Sequence, residues 1–70
     1  MSEKRLLRLL DVRRGVGLSR SEIYRLIALG KFPKPVPLGE RAVAWDNDEV
    51  QAFIAERIAA RKAPEQRRVA

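Results

Sequence analysis

At 70 residues, 46% of them hydrophobic, the chain has room for one small domain with a single core. It contains no cysteine and no histidine, which excludes disulfides and thiolate metal sites and removes the commonest side chain of zinc binding and general acid–base catalysis. Its net charge of +6 is unevenly placed: residues 1–45 hold ten cations against four anions, residues 46–61 four anions against two cations, and residues 62–70 three cations against one anion. A basic front with an acidic back suits a protein that turns one face to a polyanion, although such charge can also serve only as a solubilising surface.

The first residues, Met1-Ser2-Glu3-Lys4-Arg5, lead into a few leucines interrupted by Arg8. This is too short and too charged for a signal peptide or a membrane span, and together with the lack of cysteine it points to a cytoplasmic protein without a membrane partner. Arg5–Leu9 reads as a short extended piece with Leu7 and Leu9 on one side. Asp11–Arg14 reads as a brief first helix, stopped by Gly15 and Gly17.

Ser19-Arg20-Ser21-Glu22 is a capping box: the Ser19 hydroxyl can accept from the Glu22 N–H while the Glu22 carboxylate reaches back to the Ser19 N–H. Ile23, Leu26 and Ile27 follow at helical spacing and Gly30 supplies a stop, so a helix is predicted over residues 20–29. Two helices joined by the tight Gly17-Leu18-Ser19 turn have the form of a helix-turn-helix. At about 100° per residue, the side opposite the apolar cluster holds Ser21, Tyr24, Arg25 and Ala28, with Arg20 at the first turn. Arg25 can fork onto a guanine edge or clamp a phosphate, and Tyr24 and Ser21 can reach a phosphate or a base edge. The small Ala28 would let the helix sit deep in a major groove. A basic surface helix with no partner is the plainer alternative.

Lys31-Phe32-Pro33-Lys34-Pro35 cannot be helical, because two prolines remove donors and push their predecessors toward extended geometry. The following Val36-Pro37-Leu38, Gly39-Glu40 and Arg41–Trp45 read as strand, two-residue type II′ turn and strand, with Pro37 on an unpaired edge. In this hairpin Val36, Leu38, Val43 and Trp45 would cover the core, while Lys34 and Arg41 flank the strand pair. Arg41, beside the turn, is the better candidate for a backbone contact, and Glu40 is expected to hold the tip slightly off a phosphate strand. The proline spacing P-x-P-x-P is a turn-and-edge pattern rather than the PxxP of a peptide ligand.

Asp46-Asn47-Asp48-Glu49 is a second capped start with acids in the first turn, and Val50, Phe53, Ile54 and Ile58 form one apolar stripe, predicting a helix to about Arg61 that packs along the core. Pro64 ends it, and residues 62–70 read as a basic, disordered tail. The expected fold is therefore mainly α with a small β-hairpin: a winged helix-turn-helix domain over residues 1–61, with three helices and a two-stranded wing. Catalysis is not expected, since Glu22, Asp46, Asp48 and Glu49 are explained by capping and no nucleophile with its base or phosphate-binding glycine loop is present. Neither a cofactor nor a small-molecule substrate is implied. The candidate DNA-binding residues are Ser19, Arg20, Ser21, Tyr24, Arg25, Lys31, Lys34 and Arg41.

The run Leu18-Ser19-Arg20-Ser21, Ile23–Ile27, Gly30–Val36, Leu38-Gly39, Arg41-Ala42-Val43 and Trp45 resembles the AlpA family of prophage transcriptional regulators, grouped with the excisionase-like and MerR-like winged helix-turn-helix proteins. The resemblance covers about residues 5–61, and the phenylalanine–proline–lysine–proline lead into the wing is its most specific part. It implies double-stranded DNA as partner, read by the helix at 20–29 with help from the wing, in a bacterial or phage-encoded, nucleoid-associated protein controlling a mobile element's genes. The chain departs from the family pattern in having Leu10 where proline is common. Gly15 and Gly17 lie where the family has a longer first helix, so a short or distorted helix is expected.

Three functions remain open at this level: a sequence-specific regulator, an excisionase-like recombination directionality factor that bends attachment-site DNA, and a protein-interaction module in which the basic face is incidental. One module this small buries only roughly 600–1,000 Å² on DNA, so a dimer or cooperative binding, through the C-terminal helix or tail, is expected.

Overall fold

A computed structural model describes residues 3–61. Along the chain these form β1 (Leu6–Leu7), α1 (Leu9–Val16), α2 (Arg20–Ala28), β2 (Val36–Pro37), β3 (Val43–Asp46) and α3 (Asn47–Ala60). The three helices accompany one small antiparallel sheet of order β1-β3-β2. The architecture is mainly α with a β wing, as expected, and fits a winged helix-turn-helix. The expected tail at 62–70, with the Pro64 stop, lies outside the described residues.

The N-terminal segment does more than read as extended. β1 pairs with β3, Leu6 opposite Asp46 and Leu7 opposite Trp45, so the wing's inner strand is covered on both sides. Leu9 is not part of this strand, because α1 begins there. That helix corrects the sequence expectation at both ends: it starts two residues earlier and runs through Gly15, stopping only at Gly17. A single glycine costs a helix about 1 kcal/mol. Burial of Val12, with Val16 packed against the same cluster, offsets that cost. Gly17 is the true stop, since it takes the left-handed φ of 74° and its N–H reaches the Arg13 carbonyl at 2.8 Å.

α2 has the predicted limits to within one residue. Its C-terminus closes in a Schellman arrangement: Gly30, at φ 75°, donates to the Ile27 carbonyl at 3.0 Å and Lys31 donates to Leu26 at 2.8 Å. Only glycine takes that φ without strain, which is why the chain can turn at once toward the wing.

The hairpin differs from expectation by one residue of register, and this changes which face each side chain occupies. Val36 lies opposite Ala44 and Pro37 opposite Val43, and the Leu38 N–H donates to the Ala42 carbonyl at 2.7 Å. The loop is therefore the three residues Gly39-Glu40-Arg41, not a two-residue turn, and Gly39 stays out of the left-handed region that a type II′ turn needs. A two-residue turn would have set Val36 against Val43. The observed register moves Val36 and Leu38 to the face opposite Trp45, where both are exposed, Leu38 by 47%. They do not cover the core. Pro37 does sit on an edge strand, as its missing N–H requires.

The core comprises Val12, Ile23, Phe32, Trp45 and Val50, one from each of α1, α2, the wing lead, β3 and α3. Trp45 is fully buried, and its indole Nε1 donates to the Pro33 carbonyl at 3.0 Å, which fastens the proline-rich lead to β3. Phe32 meets Phe53 of α3 edge-on at 4.7 Å between ring centroids. Truncating a large member of this core would cost about 2–5 kcal/mol, a large share of the stability of so small a domain. α3 is capped by Asp46, whose side chain accepts from the Asp48 N–H at 2.8 Å. Its predicted stripe ends early: Val50 is buried and Phe53 and Ile54 pack on the core, but Ile58 is 52% exposed because α3 runs past the body it packs on.

Candidate nucleic-acid interface

α2 is held by its apolar side. Ile23 is fully buried, and Leu26 and Ile27 pack beside it, which turns Ser21, Tyr24, Arg25 and Ala28 outward, all four exposed. The helix starts as the sequence suggests, with the Ser19 hydroxyl oxygen accepting from the Glu22 N–H at 3.2 Å. The second half of the capping box is not formed. Instead of returning to the Ser19 N–H, the Glu22 carboxylate takes Arg25: Arg25 Nε donates to Oε1 at 3.2 Å and Nη2 donates to Oε2. A charge-assisted, two-pronged pair one turn along the helix outcompetes a single bond to a neutral N–H. Hydrogen bonding from Arg25 holds the Glu22 carboxyl below the ordinary carboxylate range and raises the guanidinium further.

The two flanks of α2 have different neighbours. On one, the Arg20 guanidinium lies 5.2 Å from the centre of the Tyr24 ring, a cation–π distance, and Tyr24 meets Trp45 edge-on at 6.2 Å. Tyr24 is thus braced from behind while remaining 37% exposed. Trp45 touches both Tyr24 and, through its indole N–H, the wing lead, so one buried side chain sets α2 and the wing lead against each other. On the other flank, Glu22 and Arg25 line a cleft with Lys31 and Arg57 over an apolar floor that includes Leu18 and Phe53.

All eight candidate residues are exposed: Ser19, Arg20, Ser21, Tyr24 and Arg25 on or beside α2, Lys31 just after it, Lys34 before β2, and Arg41 in the wing loop. Arg20 and Tyr24 are brought into contact, and Arg25 and Lys31 share a cleft. Lys34 and Arg41 stand on the wing. The three-residue loop places Arg41 at the tip itself, next to Glu40, rather than at the head of a strand. Sequence reasoning did not single out Arg57, because it lies in the acidic back half and reaches this cleft only through the packing of α3. Nor did it assign Arg8, whose Nε donates to the Val43 carbonyl at 3.0 Å and so ties the start of α1 to β3. Neither had a local signal. Among the described residues, no group of three or more acidic side chains is arranged to hold a metal ion, and no helix is long and apolar enough to cross a membrane.

Residues 5–58 match the family model described as prophage CP4-57 regulatory protein (AlpA). The chain is also 50% identical over 62 residues to the uncharacterized protein ORF88 of Enterobacteria phage P4, an alignment that spans 89% of this chain and 70% of that protein.

Proposed function

The chain belongs to the AlpA family of prophage regulatory proteins, and from that premise we propose that it is a sequence-specific DNA-binding regulator of a prophage or mobile element. α2 enters the major groove with Ser21, Tyr24 and Arg25 toward base edges and phosphates, while Ser19, Arg20 and Lys31 reach the backbone at its two ends. The wing, through Arg41 and Lys34, follows the flanking backbone. One observation carries this reading: the outward flank of α2 is exposed along its length while its opposite side is fixed to the core by Ile23. A helix so held presents a rigid, basic surface, which is what groove recognition requires.

In this reading the protein acts by binding, in the bacterial cytoplasm on the nucleoid, without catalysing a reaction. A single module of this size is weak on its own, so adjacent copies bind cooperatively or as a dimer. The test is selection from random duplexes by the purified chain. The expected result is an enriched site, present in repeated copies spaced by whole helical turns. A protein that fails to bind any duplex even at low salt would overturn the proposal, and tight bending without site enrichment would replace it with an excisionase-like, architectural role.

A further inference from the structure

We propose that Glu22 is a positioning residue for base readout, gripping one side of the Arg25 guanidinium so that its free edge is presented to a guanine. The inference rests on the DNA-reading role of α2 proposed above. A guanidinium carries five N–H donors in a planar fork. Glu22 takes them from the side, through Nε to Oε1 and Nη2 to Oε2. That uses one proton on each of two nitrogens and leaves three, two on Nη1 and one on Nη2. One Nη1 proton and the remaining Nη2 proton form the adjacent terminal edge, a parallel pair of donors that matches the O6 and N7 acceptors of guanine, while the other Nη1 proton points back beside Cδ. The carboxylate therefore occupies the side of Arg25 that base recognition does not need.

The surroundings support the same assignment. Glu22 is the more enclosed partner, its side chain 38% exposed against 58% for Arg25, and it lies against the flank that faces α1 and α3. It is the one carboxylate among the described residues lining a cleft that also holds Arg25, Lys31 and Arg57. It is not needed for the return bond of the capping box, which is not formed. An anion this close to a surface turned toward a polyanion lowers general affinity, so its effect is expected in selectivity. An unheld arginine can swing to either phosphate strand, whereas a held one contributes fully only where a guanine meets it.

The experiment compares the full chain with Glu22→Gln, Arg25→Ala and the double variant, on the selected duplex, on single-base variants of it and on random duplex. Glu22→Gln is expected to bind random duplex more tightly, with a salt dependence steeper by about one unit as Arg25 falls onto a phosphate. Its ratio of selected to random affinity should drop about tenfold, through loss of preference at the same guanine that Arg25→Ala affects. The double variant should lose no further base preference beyond Arg25→Ala. Glu22→Asp, which keeps the charge but shortens the reach, should fall between, and serves if Glu22→Gln melts too low to assay. A merely structural Glu22 would change melting but leave the guanine preference intact, and that result overturns the inference. So does a selected site in which Arg25→Ala affects no guanine. If the unsubstituted chain selects no site, the DNA-reading role falls with it; if it does and the Glu22 variants discriminate equally well, only this inference falls.

Discussion

The two arginines proposed to contact DNA most closely, Arg25 and Arg41, are held in different ways, and they should respond differently to removal. Arg25 stands on a rigid helix, tied to Glu22 one turn earlier. Arg41 is exposed at the tip of a three-residue loop beside an anion. Arg25→Ala should therefore weaken binding to the selected site roughly 5- to 150-fold and relax preference at one base position. Arg41→Ala should lower affinity equally on all sequences and make the salt dependence shallower by about one unit. Competition binding at several salt concentrations separates the two. Equal losses for Arg25→Ala on selected and random duplex would make it a phosphate contact, and an unchanged slope for Arg41→Ala would remove the wing from the interface. Tyr24 is bound to its surroundings on both sides, by Arg20 in front and Trp45 behind, so its ring is a fixed feature of the surface rather than a free side chain.

At the scale of elements, α2 depends on its ends as much as on its apolar side. The Ser19 hydroxyl satisfies the Glu22 N–H, and Ser19→Ala should destabilise the fold by about 1 kcal/mol, read as a lower melting temperature, whereas Ser19→Asn should leave melting nearly unchanged. Equal melting of Ser19→Ala and the unsubstituted chain would show that the cap contributes nothing. Much of the fold was readable wherever a local rule decides: the caps at Ser19 and Asp46, the left-handed stops at Gly17 and Gly30, and the edge position forced by Pro37. Local rules failed where partners distant in sequence decide. β1 is two residues long and exists because Leu7 meets Trp45, a pairing no window of sequence contains. Gly15 stays helical because Val12 and Val16 are packed on either side of it in sequence. The wing register turned on one extra loop residue, and with it the faces of Val36 and Leu38 were reversed. For the interface, the outward flank of α2 followed directly from helical periodicity, but the partner chosen by Glu22 did not. Two acceptable bonds competed for its carboxylate, and only the position of Arg25 decided between them.

For the whole molecule, the N-terminal segment clamps the junction where β3 runs directly into α3. Lys4 Nζ lies 3.1 Å from both Asp46 and Asp48, and the Asn47 N–H reaches the Arg5 carbonyl at 2.8 Å. The hydrogen bond from Lys4, followed by that from the Asp48 N–H, holds the Asp46 carboxyl below its ordinary range, as Arg25 does for Glu22. A carboxyl lowered in the folded state adds stability that is present above its unfolded value and is lost as the pH falls through the folded one. Melting temperature should thus hold steady from neutral pH down to about pH 5 and decline below about pH 4, where carboxylates protonate. Lys4→Met should flatten that acid decline, and more so at low than at high salt, because the pair is exposed and screened. An acid profile identical in Lys4→Met would show that the clamp does not contribute.

The surface proposed to meet DNA can be tested directly by recording backbone amide and arginine side-chain NMR shifts of the chain as duplex of the selected sequence is added. On a duplex carrying a single copy of the site, changes should concentrate on Ser19–Arg25, Lys31 and the loop around Arg41, with Gln51, Ala55 and Ile58 of α3 unmoved. Changes confined to α3, with Tyr24 and Arg25 unaffected, would contradict the claim that α2 presents its outward flank to the groove.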